Sequence, residues 1–364
     1  MHMNDEKDFL GKEPIGKLLR SLAIPTITAQ LINMLYNIVD RIYIGHIPES
    51  GAMALTGVGV CMPLIMIVSA FAALVGSGGA PRASIHMGKQ DYDQAEKILG
   101  NCFTLQVVIS AILTAVLFCF NRKFLLAFGA SENTIEYAVS YMNIYSLGTI
   151  FVELTLGMNM FITAQGFAKT GMYSVIIGAV LNIVLDPVFI FGFHMGVSGA
   201  ATATVLSQTA SCAFVLKTLF GKTVPVRITF GGYDWRLIRR ILTIGFTPFI
   251  IIAMDNVMII TMNAILQKYG GAARGDLLIT CATIAQSFML VVTMPLGGIT
   301  SGTQAVLAYN FGAGNTDRVK GAQKYIFILA AAYTTLLFIL ARTVGGLFVR
   351  LFTSDPTVAA EALR

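Results

Sequence analysis

The feature that most constrains this chain is a succession of apolar runs, each long enough to cross a lipid bilayer. About 20 residues of α-helix span the hydrocarbon layer. Backbone groups in lipid must be hydrogen-bonded within their own segment, so each run predicts a helix. Only 12% of the residues are charged, about half the share found in soluble domains. Nine runs have the required length, at 22–44, 53–80, 98–120, 135–163, 172–193, 197–220, 241–267, 277–308 and 324–349.

The sequence therefore predicts an all-α membrane protein with nine spans and the start of a tenth. The basic residues between the runs predict its orientation. Seventeen Lys and Arg residues fall in connectors on the side of the amino terminus, and five fall on the other side. Because Lys and Arg are retained in cytoplasmic connectors, a cytoplasmic amino terminus is expected. The net charge of +6 is thus a topology signal, and nucleic acid is not expected as a partner.

Three pairs of similar segments indicate an internal repeat. The pairs have offsets of 223 or 224 residues, with Gly88 over Gly312 and Pro25 over Pro248, and they are 86–97 with 310–321, 125–134 with 349–357, and 23–30 with 246–253. An even number of helices in each unit gives both units the same orientation. The repeat therefore predicts two six-helix bundles related by a pseudo-two-fold axis along the membrane normal.

This repeat divides the chain into an N-terminal lobe at 1–221, a cytoplasmic basic linker at 222–240 and a C-terminal lobe at 241–364. A second unit as long as the first would continue for about 80 residues beyond Arg364. The C-terminal lobe is therefore expected to be incomplete, truncated after about three and a half helices, and the chain to be a fragment.

Polar residues inside the first span form a continuous stripe. Spacings of three or four residues place them on one helical face, and they are Gln30, Asn33, Tyr36, Asn37 and Asp40. A stripe of this kind lines either a wet cavity or a polar helix interface, and a cavity is the expected case. Arg41 follows one position round the helix and is expected to snorkel or to pair elsewhere.

A second polar group is predicted where the fifth and sixth spans meet. Asn182 lies one helical turn before Asp186, and Pro187 cannot donate a hydrogen bond to a carbonyl one turn back. Thr204 and Gln208 lie one turn apart in the sixth span. These oxygen atoms suit a proton or a small hard cation such as Na⁺, and no other metal or cofactor is expected.

Two further acidic residues lie at membrane depth, where an ionisable side chain is a functional candidate. Asp255, in the seventh span, is a candidate substrate contact or the partner of a polar group in the helices expected beyond Arg364. Glu153, in the fourth span, is a weaker candidate. The repeat position of Asp40 is held by Asn263, which assigns ion coupling to the N-terminal lobe.

Catalytic motifs are absent from the sequence. It has no HExxH, no Walker A loop and no CxxC, and its four histidines, His2, His46, His86 and His194, are scattered. The sequence therefore does not predict an enzyme, and uphill transport would draw on an ion gradient.

The chain resembles the multidrug and toxic compound extrusion family. Along its whole length the matching features are Pro25, NMLYNIVDRIYIG at the end of the first span, LNIVLDP in the fifth, GVSGAATAT at the start of the sixth, and the paired loops GKQ and GAGN. The resemblance is closer to the bacterial branch with DinF-like and MepA-like exporters than to the NorM-like branch.

The resemblance implies a twelve-helix, two-lobed exporter that ejects organic cations and amphiphiles in exchange for H⁺ or Na⁺. It implies an ion site at Asp40, Asn182, Asp186 and Thr204, a role for Tyr36 in the stripe, and bending of the first helix at Pro25. A monomer among lipids in the bacterial inner membrane is expected. The alternatives are a lipid-linked oligosaccharide flippase and, from another class, an intramembrane enzyme or a receptor.

Overall fold

The structure, a computed structural model, describes residues 9–48, 50–352 and 360–362. Within these residues the regular structure is helical, and nine stretches are long and apolar enough to cross a membrane. After one turn of helix at Phe9–Lys12, the long helices are α1 (Ile15–Gly45), α2 (Gly51–Gly88), α3 (Tyr92–Ala127), α4 (Ile135–Ala164), α5 (Ala168–Pro187), α6 (Gly196–Phe220), α7 (Trp235–Gly312) and α8 (Thr316–Phe352). The all-helical membrane fold predicted from the apolar runs is confirmed.

The helical element α7 contains two of the predicted spans, and the chain reverses direction between them. The backbone at Ile241 packs against Gly78 of α2, and the backbone at Tyr309 packs against Gly88 of the same helix. In a straight helix Ile241 and Tyr309 would be about 100 Å apart, whereas Gly78 and Gly88 are separated by about 15 Å. The chain therefore reverses direction between a first limb, Trp235–Ile259, and a second limb, Ile284–Gly312.

The connector before α7 is shorter than the predicted linker at 222–240. Helix α7 begins at Trp235, where the side chain of Asp234 caps it by accepting a hydrogen bond from the backbone N–H of Arg236 at 2.8 Å. The connector is also held to the N-terminal lobe. The side chain of Gln165 donates to the carbonyl of Val226 at 3.1 Å and accepts from its N–H at 2.8 Å.

Two apolar layers hold the helices together at opposite ends of the bundle. The first layer contains Leu18, Met87 and Phe161 from the N-terminal lobe together with Ile241 and Tyr309 from α7. The second layer draws its buried members from α1 to α4, from the turn Val188–Gly192 and from α6, and examples are Ile44, Val58, Leu125, Met142 and Ile190. In the described part of the chain, the two lobes are thus packed together at the end that holds the amino terminus.

The repeat has a structural counterpart where α2 meets the second limb of α7. A methyl group added to Gly88 would overlap the carbonyl oxygen of Tyr309, and one added to Gly312 would overlap the carbonyl oxygen of Ile85. Tyr309 and Gly312 follow Ile85 and Gly88 by the same 224 residues. The contact is therefore reciprocal, as expected at a two-fold axis, and it supports the predicted relation between the lobes.

Replacing Gly88 with Ala should destabilise the protein by about 1–3 kcal/mol, because the new methyl group would force α2 away from α7. The midpoint of thermal unfolding in detergent measures the change. Gly59→Ala is the matched control, since Gly59 lies in the same helix with no other side chain within 4 Å. Alanine there should be neutral or stabilising by up to about 1 kcal/mol. Equal effects of the two substitutions would contradict the close contact.

Candidate functional site

A cavity of about 440 Å³ lies between the two apolar layers. The polar stripe of α1 forms one wall, and its five members all line the cavity: Gln30, Asn33, Tyr36, Asn37 and Asp40. Other helices of the N-terminal lobe contribute Tyr141, Tyr145, Asn159, Thr204 and Gln208. The second limb of α7 adds Met294, Ser301 and Gln304. Both lobes therefore contact whatever occupies this space.

The carboxyl groups of Asp40 and Asp186 meet at this wall. Helix α1 packs along α5, and the two side chains lie within hydrogen-bonding range of one another. Asp40 is half-buried and lines the cavity, whereas Asp186 is completely buried behind it. Two carboxylates this close repel each other, so the pair favours a proton or a cation between them.

Asn182 links Asp186 to α6. Its Nδ2 donates to Asp186 Oδ1 at 3.2 Å and lies 3.4 Å from Thr204 Oγ1. The first contact follows from the spacing of four residues, which stacks two side chains on one face of a helix. The second depends on the packing of α6 against α5, so the structure brings together the four residues that the sequence proposed as the ion site.

Three oxygen atoms of this group have no hydrogen-bond donor among the described residues. They are Asp40 Oδ1, Asp186 Oδ2 and Asn182 Oδ1, and each is buried. Buried polar atoms are normally hydrogen-bonded, so each of these three oxygen atoms can accept a further bond. Because all three are acceptors, they fit a proton or a small cation with a preference for oxygen ligands, such as Na⁺.

The backbone beside Asp186 is irregular because of Pro187, which ends α5. The chain continues as one turn of π-helix, Val188–Gly192. Gly199 of α6 packs against the backbone of Phe189 in this turn, with no room for a methyl group. The small residue therefore allows α6 to approach the end of α5, which places Thr204 beside Asn182.

Asp255 differs from the other predicted site residues. Its side chain is exposed and does not line the cavity, so the structure does not support it as a cavity residue. The packed face of the first limb of α7 runs through Ile241, Gly245 and Phe249, and Phe249 contacts Phe71 at a ring-centroid distance of 4.9 Å. Two turns beyond Phe249 that face reaches Asn256, and Asp255 points about 100° away from it. The side chain of Asn263 lies outside the described residues.

Several cavity residues were not predicted as such from the sequence. Arg41, which was expected to snorkel or to pair elsewhere, has an exposed side chain that borders the cavity and acts electrostatically on Asp40. Tyr141 and Tyr145 stack with ring centroids 6.1 Å apart, and the hydroxyl group of Tyr141 contacts Thr204. Their spacing of four residues in α4 was a usable signal, whereas the position of Arg41 depends on how α1 turns in the bundle.

Comparison with known proteins identifies the family of this chain. The model of the MatE family matches residues 25–188 and 252–364, which is most of the chain. The chain belongs to the MatE family. Membership makes it a membrane transporter rather than an enzyme, as the absence of catalytic motifs predicted.

Curated relatives of this MatE protein match it over nearly its whole length. Multidrug export protein MepA of Staphylococcus haemolyticus (strain JCSC1435) is 26% identical over 365 residues, which cover 99% of this chain and 78% of the relative. MepA of Staphylococcus aureus (strain MSSA476) is 25% identical, covering 99% and 79%. A solved outward-facing multidrug resistance MATE transporter of the MOP superfamily superimposes with a TM-score of 0.89 at 22% identity, over 98% of this chain and 78% of that one, and it confirms the MatE fold.

Replacing Asp40 and Asp186 with Asn should have non-additive effects on the stability of this MatE protein. Each substitution removes one of two adjacent carboxyl groups and thereby relieves their repulsion. Once one carboxyl group is gone, the second substitution has less repulsion to relieve. The coupling energy between the two substitutions should be about 0.5–3 kcal/mol. Thermal unfolding of the two single variants and the double variant measures it.

The pair Asp40→Asn and Asp255→Asn is the control, because Asp255 lies away from the site. Its effects should add to within about 0.5 kcal/mol. Additivity of Asp40 with Asp186 would show that the carboxyl groups do not interact.

Proposed function

We propose that this protein is a secondary active multidrug exporter that exchanges cationic or amphiphilic small molecules for H⁺ or Na⁺. The observation that carries the proposal is the meeting of Asp40 and Asp186 at the wall of one cavity, with buried oxygen atoms that have no donor. When a proton or Na⁺ binds to a carboxylate beside the substrate cavity, it changes the charge that a cationic substrate meets. The binding of the ion and the binding of the substrate are thereby coupled. The curated relatives are named multidrug export proteins, which supports the same role.

The cavity supports a small and variable substrate. Its volume of about 440 Å³ lies within the usual range for drug-sized ligands. Thioethers adapt their shape to different apolar bodies, and five methionines line the cavity: Met62, Met66, Met160, Met172 and Met294. Asp40 attracts the positive end of an amphiphile, and Arg41 beside it keeps the cavity from being uniformly acidic.

Transport proceeds by alternating access of two lobes in a bacterial inner membrane. With the amino terminus in the cytoplasm, the lobes are packed at the cytoplasmic end, so the cavity opens outward. Uptake of H⁺ or Na⁺ at Asp40 and Asp186 neutralises the charge that holds a cationic substrate, and the substrate leaves. Release of the ion inside restores that charge. The cycle is proposed for a monomer, because residues of both lobes on one chain line the cavity.

Pro25 lets α1 bend, and this bend couples the ion site to the contact between the lobes. Proline removes a backbone hydrogen bond inside the helix, and the next residue, Thr26, donates from Oγ1 to the carbonyl of Gly298 at 2.6 Å. This bond ties α1 to the C-terminal lobe one residue beyond the weak point. Bending of α1 at Pro25 therefore changes both the cavity wall and the contact between the lobes.

Asp40→Asn and Asp186→Asn should each abolish ion-driven efflux of ethidium from vesicles, because neither amide can take up and release the coupling ion. Asp255→Asn is the matched control and should retain efflux. Dye efflux under separately imposed pH and sodium gradients measures the effect and identifies the coupling ion. Undiminished efflux by Asp40→Asn and Asp186→Asn would refute the coupling site.

Pro25→Ala should reduce the efflux rate at least about tenfold, because alanine restores a regular helix that resists bending. Pro63→Ala is the control, since Pro63 lies within α2 and has no bending role in this mechanism. Initial rates of ethidium efflux at matched protein levels distinguish the two. A Pro25→Ala variant as fast as the unsubstituted protein would rule out the hinge.

A further inference from the structure

Glu153 of α4 and Gln106 of α3 form a completely buried polar pair that the proposed coupling site does not use. Both side chains have 0% exposure. Val152 and Thr155, on either side of Glu153, line the cavity, but Glu153 and Gln106 do not. The pair therefore faces the interior of the N-terminal lobe, between two helices, and not the substrate space.

The hydrogen bonds of this pair are incomplete in a specific way. Gln106 Nε2 donates to Glu153 Oε2. The second oxygen of the carboxyl group, Glu153 Oε1, has no partner among the described residues, and neither does the amide oxygen, Gln106 Oε1. Both orphan atoms are acceptors when the carboxyl group is ionised. The pair thus lacks one donor rather than one acceptor.

The surroundings supply neither that donor nor a compensating charge. Gly157 lies against the amide of Gln106, and a methyl group there would be 2.6 Å from Gln106 Oε1. Within the described residues no charged side chain acts on Glu153, and the titratable group that does interact with it is Tyr145 of α4.

Two thiols and one cation lie along the helices packed against α4. Cys102 of α3 contacts Gly79 and interacts electrostatically with Arg82 of α2, and Cys212 of α6 is paired with Thr155. None of these groups acts on Glu153. An ionised Glu153 would therefore be a buried charge with one hydrogen bond, which is strongly unfavourable.

We propose that Glu153 holds a resident proton in a carboxylic acid–amide pair with Gln106. The acid O–H at Oε1 donates to Gln106 Oε1, while Oε2 accepts from Gln106 Nε2. One proton gives both orphan atoms a partner and removes the buried charge, since a protonated carboxyl group is both a donor and an acceptor. The ligand of this site is H⁺, and its partner is a neutral amide.

This proton stays in place during transport. Glu153 has no exposed surface, whereas Asp40 is half-buried and lines the cavity. Of these three carboxyl groups, the aspartate pair borders the cavity, and it is the pair that exchanges protons with water there. The acid–amide pair instead joins α3 to α4 and thereby positions the next turn of α4, where Thr155 and Asn159 face the cavity. Glu153 is thus a positioning residue that acts through its protonated form.

Infrared spectroscopy of the purified protein near neutral pH tests the proposal directly. The difference between the unsubstituted protein and Glu153→Gln should contain the C=O stretch of one protonated carboxylic acid, unchanged by Na⁺ or ethidium. The matched control is Glu136→Gln on the same helix, because Glu136 has a 71% exposed side chain paired with Arg122 at 2.7 Å. That substitution should remove a carboxylate band. Loss of a carboxylate band from Glu153→Gln would overturn the proposal.

Transport provides a second readout that separates this site from the coupling site. The amide of Glu153→Gln can donate to Gln106 Oε1 and accept from Nε2. The unfolding temperature should therefore be unchanged, and the rate of ion-driven efflux should stay within about twofold of that of the unsubstituted protein. Glu153→Leu, which removes both bonds, should unfold at a lower temperature. If Glu153→Gln folds but loses ion-driven efflux, Glu153 exchanges its proton during transport and is not a resident site. Failure of the coupling proposal would show instead in Asp40→Asn.

Discussion

The close backbone contact between α2 and α7 is the interaction on which the rest of the arrangement depends. Helices in lipid gain little from burying apolar side chains against each other, so packing requires small residues that let backbones approach. Gly88 and Gly312 meet reciprocally, and Gly78 and Gly245 repeat the contact on the first limb of α7. These contacts join the two lobes toward the amino-terminal end. The polar cavity lies beyond them, with walls from both lobes.

The same contacts explain why polar residues occupy a middle layer. Leu18 and its neighbours fill one end of the bundle, and Ile44 and its neighbours fill the other. Ionisable groups between these layers are shielded from lipid but remain near a cavity that water and substrates can enter. Two carboxyl environments result. The pair Asp40 and Asp186 borders the cavity, whereas Glu153 is enclosed between helices with a neutral amide, so equal depth in the membrane does not imply equal function.

Much of the fold and part of the site could be predicted from sequence because both depend on short-range periodicity. A run of about 20 apolar residues has few alternatives in lipid, and spacings of three or four residues place Asn182 beside Asp186 whatever the neighbours do. The rest depends on the rotation of each helix. Arg41 borders the cavity and Asp255 does not, because a shift of one position turns a side chain by about 100°.

The sequence by itself determined that the chain is helical, that it crosses the membrane many times, and that two related units face the same way. It also determined which polar residues share a helical face, since that follows from the geometry of one helix. Only the tertiary structure decided which faces meet. The approach of Asp40 to Asp186 and the enclosure of Glu153 with Gln106 join residues on different helices, and the distance between such residues is set by packing at glycines and small side chains far along the chain.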